Sequence, residues 1–327
     1  MNFSTQTKKM RNINNKPAKL VEYIRDGLPE QEHFGYIVKC SSNFEITKYG
    51  EDAEIPFFLR SCAKPLQASL LIDYELDKRY DMTMEEIALC CASHAGEKIH
   101  TDIITRLINK FGLSENMLKC GVHSPISRSA QDDLLLKNIA PGQIHNNCSG
   151  KHTMMLGLCK LNNWDLNTYD DLTHPLQVAI KEKIYSLCEL DKEYPVTKDG
   201  CGVPIHSMPL KNIVKGYLNL FSNPKYSKIK EAFLNFPYLI GGENRTDTKI
   251  IQNSDNLVSK VGAGGLIVVI NTKINEGFIV KICDANMDAR EFAAIDYINK
   301  LGWGKIHVSH DIKTNHGYKV GEVKTLL

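Results

Sequence analysis

Apolar and polar positions change their period twice along this chain. Near the start, GYIVKC (35–40) and FEITKYG (44–50) flank the turn-like SSN, a pattern that predicts a β-hairpin. A helix is predicted from about Ser61 through PLQASLLIDYEL. Pro65 fits only in its first turn, where the backbone N–H has no helical partner. Thr83 with Glu86 three positions on forms a capping-box pattern ahead of IALCCAS. HTDIITRLINKF follows and is stopped by Gly112. From there to about 235 the signals are mostly helical, in SGKHTMMLGLCKL, PLQVAIKEKIYSLCEL and KYSKIKEAFLNF. Strand signals return in LVSKV, then in GLIVVINTK and GFIVKIC around the turn-forming INE, before the helical DAREFAAIDYINKLG.

Strands at both ends with helices between them predict an α/β fold. One sheet is built from N- and C-terminal strands and flanked by helices, with a largely helical middle region at about 100–235. Residues 1–20 read as a mobile arm and 21–327 as a single domain; the sequence shows no internal repeat, low-complexity tract or linker.

Composition narrows the class. The chain has 327 residues, 43% of them hydrophobic, enough for a sizeable core. Its 40 basic and 38 acidic residues are spread without a like-charged block, so no nucleic-acid footprint is expected. The opening MNFSTQTKKMRNINNKPAKL lacks the apolar stretch of a signal peptide, and the longest strongly apolar run, GLIVVI (265–270), is far short of a membrane span. A soluble, cytoplasmic protein without a membrane partner is expected. Ten scattered cysteines, two of them adjacent at 90 and 91, are unlike a disulfide framework. Reduced thiols leave one or two free to bind metal.

Candidate chemistry starts at RSCAKPLQ (60–67). Ser61 and Lys64 are at i and i+3, so they share a helix face. A serine hydroxyl needs a base to become a nucleophile, and a lysine is a base only when neutral. Arg60 supplies a neighbouring cation and a group that binds carboxylates. S-x-x-K also recurs by chance, and a serine there is often no more than an N-cap. Two other segments add partners: CASHAGE (91–97) offers Ser93 as a second hydroxyl, and GFIVKICDAN puts Lys281 on an otherwise apolar strand, where an amine is costly unless paired or neutral. A solvent-facing lysine is the plainer account of Lys281.

NNCSGKH (146–152) and KDGCGVP (198–204) each centre on a cysteine in glycine-bearing polar sequence. Cys148, His152, Asp199 and Cys201 have the donor inventory for zinc, with Lys151 three positions from Cys148. Alternatively, Cys148 is a nucleophile with His152 as base, or the two loops are unrelated.

These blocks, in this order, resemble the bacterial L-asparaginases of the Rhizobium etli type, the asparaginase II family. The carriers are EQEHFG, RSCAKPLQA, CASHAGEKIH, CGVH, NNCSGKH, HPLQ, DGCGVP, GGENRTDT, KVGAGG and VKICD, spread over roughly residues 20 to 305. The resemblance implies a fold similar to serine β-lactamases and glutaminases, and hydrolysis of L-asparagine to L-aspartate and ammonia. It implies two Ser–Lys tandems, Ser61 with Lys64 and Ser93 with Lys281. It also implies a zinc ion on Cys148, Lys151 and Cys201, with Asp199 at that site to hold the substrate amine or stabilise a neutral Lys151, and a homodimer. Arg60 is expected on the substrate carboxylate and His152 near substrate. Which serine attacks stays open at this point, as does a glutaminase or another serine acyl-enzyme hydrolase of the same fold. The sequence departs from the family pattern in KVGAGG, where Gly264 stands for a glutamate. It departs again in D-A-N for D-G after Lys281, and in Gln31 for a serine.

Overall fold

The computed structural model of the chain describes residues 16–41, 43, 45–51 and 55–327. Its strands are β1 (Ala18–Arg25), β2 (Leu28–Cys40), β3 (Ile46–Tyr49), β4 (Pro56–Phe58), β5 (Val196–Lys198), β6 (Pro204–Pro209), β7 (Leu257–Gly262), β8 (Leu266–Asn271), β9 (Glu276–Ile282), β10 (Asp311–Lys313) and β11 (Lys319–Thr325). Its helices are α1 (Lys64–Asp73), α2 (Leu76–Arg79), α3 (Met84–Cys91), α4 (Lys98–Lys110), α5 (Arg128–Leu136), α6 (Ser149–Leu161), α7 (Pro175–Leu187), α8 (Leu210–Ser222), α9 (Ser227–Asn235), α10 (Pro237–Ile240), α11 (Thr246–Gln252) and α12 (Met287–Lys300).

The larger sheet joins the two ends of the sequence. Its strands run β10-β11-β1-β2-β9-β8-β7, with β3 added to β2, and every pairing is antiparallel. The long β2 makes this possible, pairing with β1 through Leu28–Gly35 and with β9 through Gly35–Cys40. β8 is buried on both faces because helices cover both, which is why LIVVIN reads as a continuous apolar run rather than an alternation. Val268, Ile270 and Ile279 face the middle helices, where they meet Leu66, Leu89 and Ile213. Ile267, Val269 and Val280 face the other way, onto Ala293, Ala294 and Ile298 of α12.

The fold class expected from sequence is the one observed. The hairpin pairs Ile37 with Tyr49 and Cys40 with Ile46, and the capping box forms as written: Glu86 N donates to Thr83 Oγ1 and Thr83 N to Glu86 Oε2. Boundaries differ. Helices occupy 60–252 rather than 100–235, and they are interrupted by β5 and β6, which form a small sheet with β4. Residues 1–15 of the expected arm lie outside the described residues, and its end, Ala18–Leu20, is already strand. The closing strands β10 and β11 carry no clear alternation; β11 has one buried residue, Val323, and is held by backbone pairing to β1. Among the described residues no helix is long and apolar enough to cross a membrane.

Candidate active site

Arg60 to Ala63 form a single 3-10 turn that leads directly into α1. Arg60 has φ +49, a left-handed conformation that costs energy in a residue with a Cβ and recurs at functional sites. Pro65 falls in the first turn of α1, as its missing N–H requires. Lys64 is thereby carried inward and is fully buried, whereas Ser61 stays partly exposed and makes no side-chain hydrogen bond among the described residues.

Among the described residues the amine of Lys64 makes its hydrogen bonds elsewhere than to Ser61. It donates to Ala92 O at 2.6 Å and Asn147 O at 2.8 Å, and it lies 3.0 Å from Ser93 Oγ. α6 supplies Asn147 from just before its first turn, and this needs close packing. A Cβ on Gly150 would sit 2.2 Å from Leu89 O of α3, so a larger residue would push the two helices apart. Ser93 lies just after α3, held by its backbone N–H to Ile240 O of α10 at 3.0 Å.

A second amine reaches Ser93 Oγ, and it is Lys260 at 2.9 Å. Lys281, expected there, instead donates to Gly264 O at 2.6 Å and Ile282 O at 2.7 Å, and stays half-buried beside Phe57. Both lysines point to the same face of the sheet. Lys260 pairs with Val268 across β8 and Lys281 with Leu266, so strand position and register separate them. Lys260 also donates to Val261 O at 3.0 Å and to Asp247 Oδ2 at 3.3 Å, and Asp247 Oδ1 accepts from Ser259 Oγ at 2.9 Å. The sequence reading did not single out Lys260 or Asp247. The available signal was the triplet KVG (260–262), which has the K-x-G form that accompanies S-x-x-K in serine acyl-enzymes.

The metal candidates also converge. Cys148 stands at the start of α6, Lys151 in its first turn and Cys201 on the turn between β5 and β6. Lys151 Nζ is 3.0 Å from Cys201 Sγ, and Cys201 Sγ is 3.9 Å from Asp199 Oδ2. A hydrogen bond from Cys201, reinforced by the Lys64 and Lys151 charges, holds the Cys148 thiol well below its usual pKa against the opposing effect of burial. Burial opposes the charge on Lys151, but Cys201, Cys148 and Asp199 outweigh it and push its pKa up. Two sulfurs and an amine with a carboxylate behind them suit a borderline-soft divalent ion such as zinc. Among the described residues no three His, Cys, Asp or Glu side chains stand together to hold an ion, so the cluster depends on its lysine.

His152, expected near substrate, lies inside the protein with its Nε2 unpartnered among the described residues. It is fully buried and hydrogen-bonded through Nδ1 to Tyr169 Oη at 2.7 Å, which itself accepts from Lys119 N. Cys148 Sγ contacts Asn147 Oδ1 at 3.3 Å and the His152 ring bonds to Tyr169, so the two side chains are not hydrogen-bonded to each other as a cysteine–histidine dyad would be. Arg60 Nε donates to Asp199 Oδ1 at 2.7 Å, leaving both Nη groups without a partner among the described residues.

The L-asparaginase II family model matches residues 21–325, nearly the whole chain. The chain belongs to the L-asparaginase II family. This asparaginase is therefore an amidohydrolase of the L-asparaginase type, and its Ser93 cluster lies within the matched span. No curated protein matches the sequence. Among solved structures, a β-lactamase/D-alanine carboxypeptidase from Pseudomonas syringae is similar at 10% identity and a TM-score of 0.44, covering 90% of this asparaginase and 97% of that chain. A candidate β-lactamase from Bacteroides dorei is similar at 11% identity and a TM-score of 0.43, covering 81% and 93%.

Proposed function

We propose that this asparaginase hydrolyses L-asparagine to L-aspartate and ammonia through a serine ester, with Ser61 as nucleophile and Lys64 as base. The observation that supports it is the two buried amines at Ser93 Oγ, one of which, Lys64, stands three positions after the more accessible Ser61. Burial lowers the Lys64 pKa to about 8, partly offset by Cys148 and lowered further by Lys260 and Lys151, so a neutral amine is available near neutrality. In this reading the Ser61 proton passes through Ser93 to Lys64. Ser61 Oγ bonds to the side-chain amide carbon, the C–N bond breaks, and the same proton leaves with nitrogen as ammonia. Water then adds to the ester carbonyl and restores Ser61 as the aspartate side chain departs.

Arg60, with both Nη groups unengaged, would take the substrate α-carboxylate, and Asp199 beside it the α-ammonium. Zinc would be held by Cys148, Lys151 and Cys201, where it supplies a Lewis acid near the substrate-binding groups. The protein is proposed to act as a cytoplasmic homodimer.

The test is ammonia release from L-asparagine, with L-glutamine in parallel, by wild-type, Ser61→Ala and Ser93→Ala proteins. Mass spectrometry of acid-quenched turnover locates the ester. An ester on Ser61 in the wild type that forms more slowly in Ser93→Ala and is absent from Ser61→Ala supports the assignment. An ester on Ser93 that persists in Ser61→Ala reverses the two serines. Ammonia released without any ester removes the acyl-enzyme reading.

A further inference from the structure

Ser93 Oγ sits between two amines in almost symmetrical surroundings. Lys64 has two carbonyl acceptors, Ala92 O and Asn147 O, plus the hydroxyl. Lys260 has Val261 O, Asp247 Oδ2 and the same hydroxyl. A hydroxyl donates one proton and accepts elsewhere, so it can donate to one amine while accepting from the other. If Lys64 and Lys260 were both charged, both would donate to Ser93 Oγ, leaving the Ser93 proton without either amine as acceptor and two buried cations side by side. The arrangement is satisfied when one amine is neutral and takes the Ser93 proton in a hydrogen bond.

What breaks the symmetry is a carboxylate on one side only. Asp247 and Lys260 are 1% and 0% exposed, and Ser259 Oγ fixes the other carboxylate oxygen, so Asp247 cannot turn away. The other charged or titratable groups around this pair are Lys64, Arg290, Cys62, Cys91 and Tyr217, whose phenol is kept uncharged by burial well above its usual pKa, with Arg245 and Glu291 beyond Arg290. Burial pushes both thiols up to about 12, so they are uncharged near neutrality. Arg290 is buried with Nε unpartnered among the described residues, a further cation that Asp247 favours more than Glu291 does.

We propose that Asp247 is a positioning residue of the hydrolytic site: it keeps Lys260 as an ammonium that donates to Ser93 Oγ, which leaves Lys64 as the amine that receives the Ser93 proton. This deepens the Ser–Lys reading and rests on it for its catalytic consequence. The assignment of charge to the two amines stands on the hydrogen bonds alone. Ser259 has a share in it, as the residue that orients the carboxylate.

Two measurements test it. Lysine-selective labelling with carbon-13 and nitrogen-15 reads the charge of each buried amine by NMR as pH is raised, with Lys64→Met and Lys260→Met for assignment. In the wild-type protein Lys64 should lose its proton first and Lys260 should remain charged. Loss from Lys260 first overturns the proposal, whether or not the protein releases ammonia. In turnover of L-asparagine, Asp247→Asn should lower kcat about 10- to 100-fold with KM changed by less than about threefold. Asp247→Glu should restore part of kcat and Ser259→Ala should show a smaller loss. Unchanged kcat in both Asp247→Asn and Ser259→Ala overturns the proposal. A wild-type protein that orders its amines as stated but releases no ammonia removes the hydrolytic reading and leaves the charge assignment intact.

Discussion

Lys260 Nζ lies 2.9 Å from Ser93 Oγ, a contact closed across 167 positions of sequence. It brings β7 against the segment after α3 and gives the site its second amine. If this contact serves catalysis, Lys260→Met should reduce kcat by about 10²–10⁴-fold. Lys281→Met, which removes the bonds to Gly264 O and Ile282 O and the approach to the Phe57 ring, should stay within about threefold of wild type. Ammonia release under saturating L-asparagine separates the two. Equal losses, or a larger loss at Lys281, would put the second amine elsewhere.

The pH profile should report Lys64. A base works only when neutral, so kcat/KM should fall as pH drops through about 8, the value to which burial lowers this amine. The slope of the acidic limb should be close to one proton. A profile flat from pH 6 to 9 would count against a lysine base.

Acid should destabilise the fold through histidine. His206 is buried with both ring nitrogens unpartnered, and burial lowers its pKa from 6.5 to about 4. Between those values the unfolded chain binds the proton and the folded chain does not. The His206 contribution to stability is therefore undiminished above 6.5 and falls by about 3 kcal/mol as pH drops to 4. His94 and His152, also held well below 6.5 by burial, act in the same direction. Urea unfolding at pH 7 and pH 4.5 should show a smaller acid loss for His206→Phe than for wild type. An equal loss would assign the effect to other groups.

Metal content should follow the sulfur pair. Cys148→Ser and Cys201→Ser should each reduce bound zinc from about one per chain to near zero, because a neutral hydroxyl is a poor substitute for a thiolate ligand. Inductively coupled plasma mass spectrometry on protein purified without chelator measures this. Stoichiometric zinc in both variants would place the ion outside the Cys148–Lys151–Cys201 cluster.

The turn at Gly264 shows what the departure from the family pattern does locally. Gly264 has φ +75 and no atom within 4 Å of an added Cβ, so a glutamate here would be strained by backbone and not by space. Gly264→Glu should cost about 1 kcal/mol in chemical denaturation. A stabilised variant would show that the longer side chain finds a partner this chain otherwise lacks.

Local chemistry was readable in the sequence wherever one element decides it. Pro65 in a first turn, the Thr83–Glu86 capping box, the Ile37–Tyr49 hairpin and the i, i+3 spacing of Ser61 and Lys64 depend on neighbours a few residues away. The motifs also located Cys148, Lys151 and Cys201, because glycine-bearing polar loops do not read as core. Tertiary structure decided which groups meet. Lys260 and Lys281 are both strand lysines on one sheet face, and only the register of β7 on β8 and β9 puts one of them at Ser93. Lys64 turns from Ser61 to Ser93 because Ala92 O and Asn147 O, from two other helices' ends, supply the acceptors that burial demands. His152 became a core residue because its partner, Tyr169, is 17 positions away on a loop with no motif. Asp247 was hidden for the same reason: an acidic residue at the start of a helix looks like a solvated dipole partner until the fold buries it against an amine.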